Sequence, residues 1–190
     1  MNTKPHITFN SPVILTFVII SFIVMIANYV TAGKSNELLF TTYSRASLTD
    51  PLTYVRMFTH VLGHSGWEHY LNNMMYLLIL GPRLDEKYGS NTIIEILLIT
   101  GLAISVGNWI FFPGVAVLGA SGVVFAFILM TSFTSFKEGE IPLTVILVAV
   151  IYIGEQIFQG LFVQDNISQM GHIIGGLVGV VAGYVLNKKE

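Results

Sequence analysis

The side chains with the clearest chemical potential are Ser121 and His172, which each stand near the start of a long apolar segment. A serine hydroxyl is a weak nucleophile that needs a hydrogen-bonded base, and histidine, with a pKa of roughly 6.5, supplies one at neutral pH. Asp165, the nearest carboxylate to His172, is seven residues away in the sequence. The pair therefore predicts a Ser–His dyad without a carboxylate, in which Ser121 is the nucleophile and His172 the general base.

Further groups are placed to stabilise a developing oxyanion beside this dyad. The segment Gly119-Ala-Ser121-Gly122 opens a predicted helix, and free N–H groups at a helix N-terminus favour negative charge. His69 and Asn73 are four residues apart on another predicted helix, so they share one face and can add side-chain donors. The serine motif differs from the Gly-x-Ser-x-Gly elbow of soluble hydrolases, because here a glycine follows the serine directly.

These polar residues belong to a strongly apolar chain. Of 190 residues, 53% are hydrophobic and 11% are charged, whereas a soluble domain carries roughly 25% charged residues. The mean hydropathy is +0.71. A net charge of −2 argues against a nucleic-acid-binding protein, and the absence of cysteine excludes disulfides and thiol catalysis. The composition predicts an all-α, polytopic membrane protein, in which intramembrane polar residues are functional candidates.

Stretches without charged residues predict six membrane spans in one domain that covers residues 1–190. A spanning helix needs about 20 mostly apolar residues, and Pro113 and Gly114 divide the longest uncharged stretch into two spans. The apolar run from Pro12 to Val30 exceeds the roughly 7–15 residues of a signal-peptide core, so we expect it to be a retained first helix. The spans are expected at about 12–32, 68–84, 92–111, 119–136, 141–160 and 170–187.

The basic residues predict the orientation of these spans. With both termini in the cytoplasm, six basic residues lie inside and three lie outside, as the positive-inside rule requires. The inside group is Lys4, Arg83, Lys87, Lys137, Lys188 and Lys189, and the outside group is Lys34, Arg45 and Arg56. Spans 2, 4 and 6 then begin at the outer surface, so His69, Ser121 and His172 share a similar depth. We therefore expect a multi-pass inner or plasma membrane protein whose site opens to the outer side.

Several motifs occur in a fixed order along the chain. They are Arg56-x-x-x-His60, His64, His69-x-x-x-Asn73, Glu86-Lys-Tyr-Gly, Gly119-Ala-Ser121-Gly122 and Gly171-His172-x-x-Gly175. Together they resemble the rhomboid family of intramembrane serine proteases, in its minimal bacterial six-span form, over residues 50 to 187. The resemblance implies that Ser121 is the nucleophile, His172 the base, and His69 and Asn73 oxyanion donors. Arg56 and Glu86 match structural positions of the family, and we expect His60 and His64 to be structural as well.

The resemblance also implies how such a protein acts. It would cleave transmembrane protein substrates near the outer membrane face, among membrane lipids, without a metal or organic cofactor and without a nucleic-acid partner. Residues 33–67 match a partly membrane-embedded first loop, residues 161–169 a cap over the site, and span 5 a lateral substrate gate. Phe125 stands where many members carry a tyrosine that stacks on the catalytic histidine, and Val55 replaces a common tryptophan.

Two other classes of function remain open at this stage. The first is a metal site or metal transporter built on the histidines, although such sites usually recruit thiols or carboxylates as well. Its four ligands would be His60, His64, His69 and His172. The second is a catalytically inactive rhomboid-like protein that binds membrane clients. Such proteins typically lose the serine or the histidine, and both are present here.

A glycine pattern predicts how the two halves of the dyad are brought together. In span 6, glycines recur every four residues at 171, 175, 179 and 183, and in span 4 Gly122 and Ala126 are also four apart. Small residues at this spacing let two membrane helices approach until their backbones touch. We therefore expect spans 4 and 6 to run side by side in the same direction, with Ser121 and His172 in hydrogen-bond reach.

Overall fold

The protein is described by a computed structural model over residues 6–134, 142–162 and 169–187, and it is helical through most of these ranges. The helices are α1 Pro12–Val30, α2 Lys34–Leu39, α3 Pro51–Thr59, α4 Trp67–Tyr88, α5 Ser90–Phe111, α6 Ser121–Ser132, α7 Leu143–Phe162 and α8 Gln169–Asn187. By length and composition α1, α5 and α8 can cross a membrane, while α6 and the first part of α7 are shorter apolar helices. The predicted helical membrane bundle is confirmed.

The helix ends differ from the predicted spans by a few residues, for local backbone reasons. Helix α1 ends at Val30 because Ala32 and Gly33 take positive φ angles of 52° and 94°. Helix α4 continues four residues beyond its predicted end at 84 and stops before Gly89, whose φ of 83° suits glycine. The end of predicted span 4, the start of predicted span 5, and Lys4, Lys137, Lys188 and Lys189 lie outside the described residues.

The segment between α1 and α4, predicted only as a loop, is folded. It contains α2, α3, a 3₁₀ turn at His60–Leu62 and a short strand, β1, at Thr42–Tyr43. Strand β1 pairs antiparallel with β2, Ala116–Val117, in the connection between α5 and α6, with Thr42 opposite Val117. Because two-residue strands exist only where a tertiary partner completes them, the apolar pattern could not reveal this pair.

Arg56 ties this folded segment together. Its Nε donates to the carbonyl of Leu38 at the end of α2, over 2.8 Å. Its Nη1 lies 3.1 Å from the carboxylate of Asp50, which also caps α3 by accepting from the N–H of Leu52. The guanidinium therefore joins the end of α2 to the start of α3.

The carboxylate that supports this end of the bundle is Asp85, the neighbour of the expected structural residue Glu86. Glu86 is exposed, whereas Asp85 is 8% exposed and accepts hydrogen bonds from two serine hydroxyls. Ser11, just before α1, donates over 2.6 Å, and Ser90, at the start of α5, donates over 2.7 Å. Adjacent helical residues point about 100° apart, so a shift of one position decides which carboxylate faces the bundle. Asp85 thereby joins α1, α4 and α5 at one end of the fold.

Helix α6 forms the centre of the bundle. Its residues are buried on every side, as expected for a helix that is apolar all round. The core cluster around it includes Ile14 of α1, Leu77 and Leu84 of α4, and Ile93 of α5, all of which are fully buried. The large apolar residues of the surrounding helices that face outward are exposed, which suits a lipid-facing surface.

The contact between α6 and α8 is the most extensive of any helix pair in the described residues. A Cβ at Gly175 would overlap the backbone carbonyl of Gly122, and one at Gly179 would overlap that of Ala126. Both contacts advance in the same direction along the two helices, so α6 and α8 run parallel. The close, parallel packing predicted from the glycine spacing is confirmed.

Candidate active site

Ser121 is the first residue of α6, and the backbone before it is shaped by Gly119. Gly119 has a φ of 120°, which favours glycine, and its N–H donates to the carbonyl of His60 over 2.9 Å. A Cβ at Gly119 would lie 2.5 Å from the imidazole Cε1 of His69. Glycine is therefore required twice at this position, for its backbone angle and for the space that the His69 ring fills.

His172, near the start of α8, lies beside Ser121. Its Nε2 is 2.9 Å from the Ser121 Oγ, a normal hydrogen-bond distance. The carbonyl of Gly171 lies 2.9 Å from where a Cβ on Gly122 would stand, so the helices meet backbone to backbone at the level of the dyad. The small residues next to the pair, Gly122 after Ser121 and Gly171 before His172, thus allow Ser121 and His172 to come together.

The ring of Phe125 stacks on the imidazole ring of His172. The two rings are stacked, with centroids 4.2 Å apart and planes inclined by 11°. On its other side Phe125 meets Tyr152 of α7, at a centroid distance of 3.8 Å and an interplanar angle of 60°. The phenyl ring therefore fixes the plane of the imidazole although it lacks the hydroxyl of tyrosine.

A cavity of about 560 Å³ lies over the dyad. Its polar lining comes from Ser121, His172, Ser65, Glu68, His69 and Asn72, and its remaining wall includes the strand segment 116–119. Because a water molecule occupies about 30 Å³ of liquid, several waters and part of a peptide chain fit in this space. The cavity therefore has room for water and for part of an extended peptide beside Ser121 and His172.

His69 and Asn73, the two residues expected to donate to an oxyanion, differ from each other in their position relative to the cavity. His69 lines the cavity, and its Nδ1 lies 3.1 Å from the hydroxyl of Ser65. Asn73 is buried, and its Nδ2 has no hydrogen-bond partner in the described part of the chain. Its neighbour Asn72, to which the sequence assigned no role, lines the cavity instead. An unpaired buried amide donor is costly, so the free Nδ2 of Asn73, one residue from the cavity-lining Asn72, is a candidate donor.

His60 and His64 are fully buried below this site. His60 Nε2 lies 3.0 Å from the carbonyl of Gly101, and His64 Nδ1 lies 3.1 Å from that of Leu62. Burial lowers the pKa of each imidazole to about 4, so both are neutral at pH 7. In the described residues no three side chains of His, Asp or Glu converge in a way that would hold a metal ion.

Gln156 is a site residue that the sequence did not single out. It lies on α7, is 4% exposed, and its Oε1 is 2.7 Å from the Nδ1 of His172. Carboxylates are the usual partners of a catalytic histidine, and a glutamine in an apolar helix gives a weak signal by itself. Its spacing of four from Tyr152 does place both on one helix face. Of the expected cap loop, residues 161–169, the part 163–168 lies outside the described residues, while 161–162 end α7 and 169 begins α8.

Comparison with known proteins identifies the family to which this bundle belongs. The family model of the Rhomboid domain matches residues 51–189, which include both members of the Ser121–His172 pair. The chain belongs to the rhomboid family. The match begins at α3, so α1, α2 and β1 lie before the part that the rhomboid domain defines.

Individual rhomboid relatives are distant in sequence. Rhomboid-related protein 2 of Mus musculus is 29% identical over 160 residues, which are 73% of this chain and 53% of that protein. RHOMBOID-like protein 2 of Arabidopsis thaliana is 30% identical and the match covers 65% of this chain and 39% of that protein. Rhomboid protease GluP of Bacillus subtilis is 28% identical, with 65% and 24% covered. The chain spans about half the length, or less, of these relatives.

Proposed function

We propose that this protein is an intramembrane serine endopeptidase with a Ser121–His172 dyad. The observation that carries the proposal is the 2.9 Å contact between Ser121 Oγ and His172 Nε2 at the wall of a cavity large enough for water and substrate. Serine and histidine side chains can bond across membrane helices simply to hold them together, but that role does not require the cavity that both side chains line here. Membership of the rhomboid family, which includes relatives named as proteases, supports the same chemistry.

In the proposed reaction the Ser121 hydroxyl attacks the scissile carbonyl. Its proton passes to His172 Nε2 while the Oγ–C bond forms, and the imidazolium then gives the proton to the leaving amine as the C–N bond breaks. Water then attacks the resulting ester and gives a proton to His172. The imidazolium returns that proton to Ser121 Oγ as the Oγ–C bond breaks, which releases the carboxylic acid product and regenerates Ser121. The dyad thus completes one hydrolysis without any added oxidant, metal or carrier.

The tetrahedral intermediate carries a negative charge on the former carbonyl oxygen. The first N–H groups of α6 have no partner within the helix, and two of the residues that carry them, Ser121 and Gly122, line the cavity. His69 is the side chain best placed to add a donor from the cavity wall, and Asn73 holds an unpaired Nδ2 nearby. We therefore assign oxyanion stabilisation to the α6 N-terminus and His69, with Asn73 as a further donor.

The substrates of the proposed enzyme are transmembrane proteins. The dyad lies at the ends of two apolar helices, one of them long enough to cross a membrane, so it meets peptide bonds at a membrane surface. By the positive-inside argument this is the outer surface of an inner or plasma membrane, with both termini in the cytoplasm. Small residues at the cleavage point would suit the close approach to Gly119 and Gly122.

The test compares cleavage of a single-span model substrate in proteoliposomes by wild type and by Ser121→Ala. We expect Ser121→Ala and His172→Ala to abolish cleavage, and the double variant to be no worse than either single variant, because the two residues act as one unit. Ser132→Ala is a matched control on the same helix, since that hydroxyl only donates back to the carbonyl of Ile128. Cleavage by Ser121→Ala at a rate near that of wild type would refute the dyad.

A serine-directed fluorophosphonate gives a second measurement. Wild type and Ser132→Ala should be labelled, and Ser121→Ala should not. A well-folded wild type that binds a membrane substrate without cleavage or labelling would instead favour an inactive, client-binding rhomboid.

A further inference from the structure

The contact between Gln156 and His172 lies on the side of the imidazole that faces away from Ser121. Its length of 2.7 Å is that of a good hydrogen bond, and the glutamine is 4% exposed in a largely apolar helix, next to the exposed Glu155. A polar side chain inside a membrane helix is costly and is a functional candidate when its partner is known. The partner in this case is the second nitrogen of the proposed general base.

This contact determines which nitrogen of His172 carries the proton. The Gln156 Oε1 is an acceptor only, so the hydrogen bond requires a proton on Nδ1. The neutral ring then has its lone pair on Nε2, the atom that lies 2.9 Å from the Ser121 hydroxyl. Only this tautomer can accept the serine proton.

We propose that Gln156 is a positioning residue that holds His172 in the tautomer and orientation required of a general base. The inference rests on the proposed function and extends it, since it makes the dyad a triad whose third member is a neutral amide. Tyr152, one turn earlier on α7, presses on Phe125, which stacks on the same imidazole. Helix α7 therefore sets both the plane of the ring and its protonation site.

The charged and titratable groups around this contact are few. Helix α7 carries Tyr152 and Glu155. Helix α4 carries Glu68 and His69, which line the cavity, and Tyr76, which interacts electrostatically with Tyr152. Helix α6 has no titratable residue, α5 carries only Glu95, near its other end, and α8 adds only Tyr184. A change at position 156 is thus the most direct way to alter the field at Nδ1.

The test substitutes Gln156 and measures the pH dependence of kcat and KM in proteoliposomes. For Gln156→Leu we expect kcat to fall about 10- to 100-fold, or about 1.4 to 2.7 kcal/mol, with KM within threefold of wild type. Gln156→Glu keeps an acceptor and adds charge that stabilises the imidazolium. It should retain kcat at high pH and move the acid limb of the profile to higher pH. Ile151→Ala, on the exposed outer face of α7, is the control and should match wild type.

Nitrogen-15 NMR of His172 reads the tautomer without any need for turnover. We expect a protonated Nδ1 in wild type and in Gln156→Glu at neutral pH, and a mixture of tautomers in Gln156→Leu. The proposal is overturned if Gln156→Leu keeps kcat within twofold at every pH, if the acid limb of Gln156→Glu does not move, or if the tautomer is the same in Gln156→Leu. Absence of Ser121-dependent cleavage in wild type would refute the proposed function alone, because the tautomer measurement would still test the hydrogen bond.

Discussion

Replacement of Gly175 by valine tests how the proposed dyad is assembled, at a residue that touches neither reacting atom. The Cβ of any side chain at this position would lie 2.6 Å from the carbonyl carbon of Gly122, where ordinary contacts begin at 3.4 Å. The obstacle is backbone, which cannot rotate away. Helices α6 and α8 must therefore separate by at least the difference, about 0.8 Å.

This separation has two calculable consequences. The distance from Ser121 Oγ to His172 Nε2 would grow from 2.9 Å to about 3.7 Å, which is beyond hydrogen-bond range. A misplacement of about 1 Å can cost about 100-fold in rate, and overpacking typically costs about 1–3 kcal/mol of stability. We expect Gly175→Val to lose activity about 100-fold and to unfold at a lower temperature than wild type.

The adjacent glycine supplies the control. A Cβ at Gly176 meets no atom within 4 Å, so Gly176→Val makes the same chemical change on the same helix without a clash. In proteoliposomes Gly176→Val should cleave substrate at the wild-type rate and Gly175→Val should not. In detergent Gly175→Val should unfold at a lower temperature than Gly176→Val. If Gly175→Val has the melting temperature and turnover of Gly176→Val and wild type, backbone contact between α6 and α8 does not assemble the site.

The remaining predictions concern three other parts of the fold. His69→Ala and Asn73→Ala should each lower kcat by up to about 10²–10³-fold with little change in KM; full rates in both variants would contradict their assignment as oxyanion donors. EDTA should not change the rate of cleavage, and inhibition by EDTA that zinc reverses would instead indicate a metal site. Asp85→Ala should cost about 1.5–3 kcal/mol of stability because it strands two serine hydroxyls, while Glu86→Ala should change stability by less than about 0.5 kcal/mol, both measured by denaturation. Burial lowers the pKa of His60 from 6.5 to about 4, so its contribution to stability is complete above pH 6.5 and is lost as the pH falls towards 4. The melting temperature should therefore drop across this window, and less steeply in His60→Asn, which cannot titrate; equal slopes would refute the buried neutral state.

Features that depend on the order of apolar, charged and small residues within one segment were predictable from the sequence. Long uncharged apolar stretches can only be membrane helices, so the helical bundle followed from composition and spacing. The small residues of α6 and α8 were informative for a similar reason. Small residues that recur every four positions lie on one face of a helix, and two such faces can pack closely against each other. The nearness of Ser121 and His172 followed from that packing.

The details of the site depend on rotations that no local pattern contains. Neighbouring residues on a helix point about 100° apart, so whether Asp85 or Glu86 faces inward depends on how α4 packs against α1 and α5. The same is true of Asn72 and Asn73 at the cavity, and of the two short strands, which exist only as a pair.

Gln156 shows most clearly what the sequence left undecided. Its amide became informative only when α7 and α8 packed together and set its oxygen 2.7 Å from His172. By itself, then, the sequence determined a membrane-embedded helical bundle and the helices that carry the serine and the histidine, because hydrophobicity and residue size act along one chain segment at a time. The tertiary structure alone decided which polar groups meet, because a hydrogen bond depends on the rotation and depth of two separate helices, to within a few tenths of an ångström.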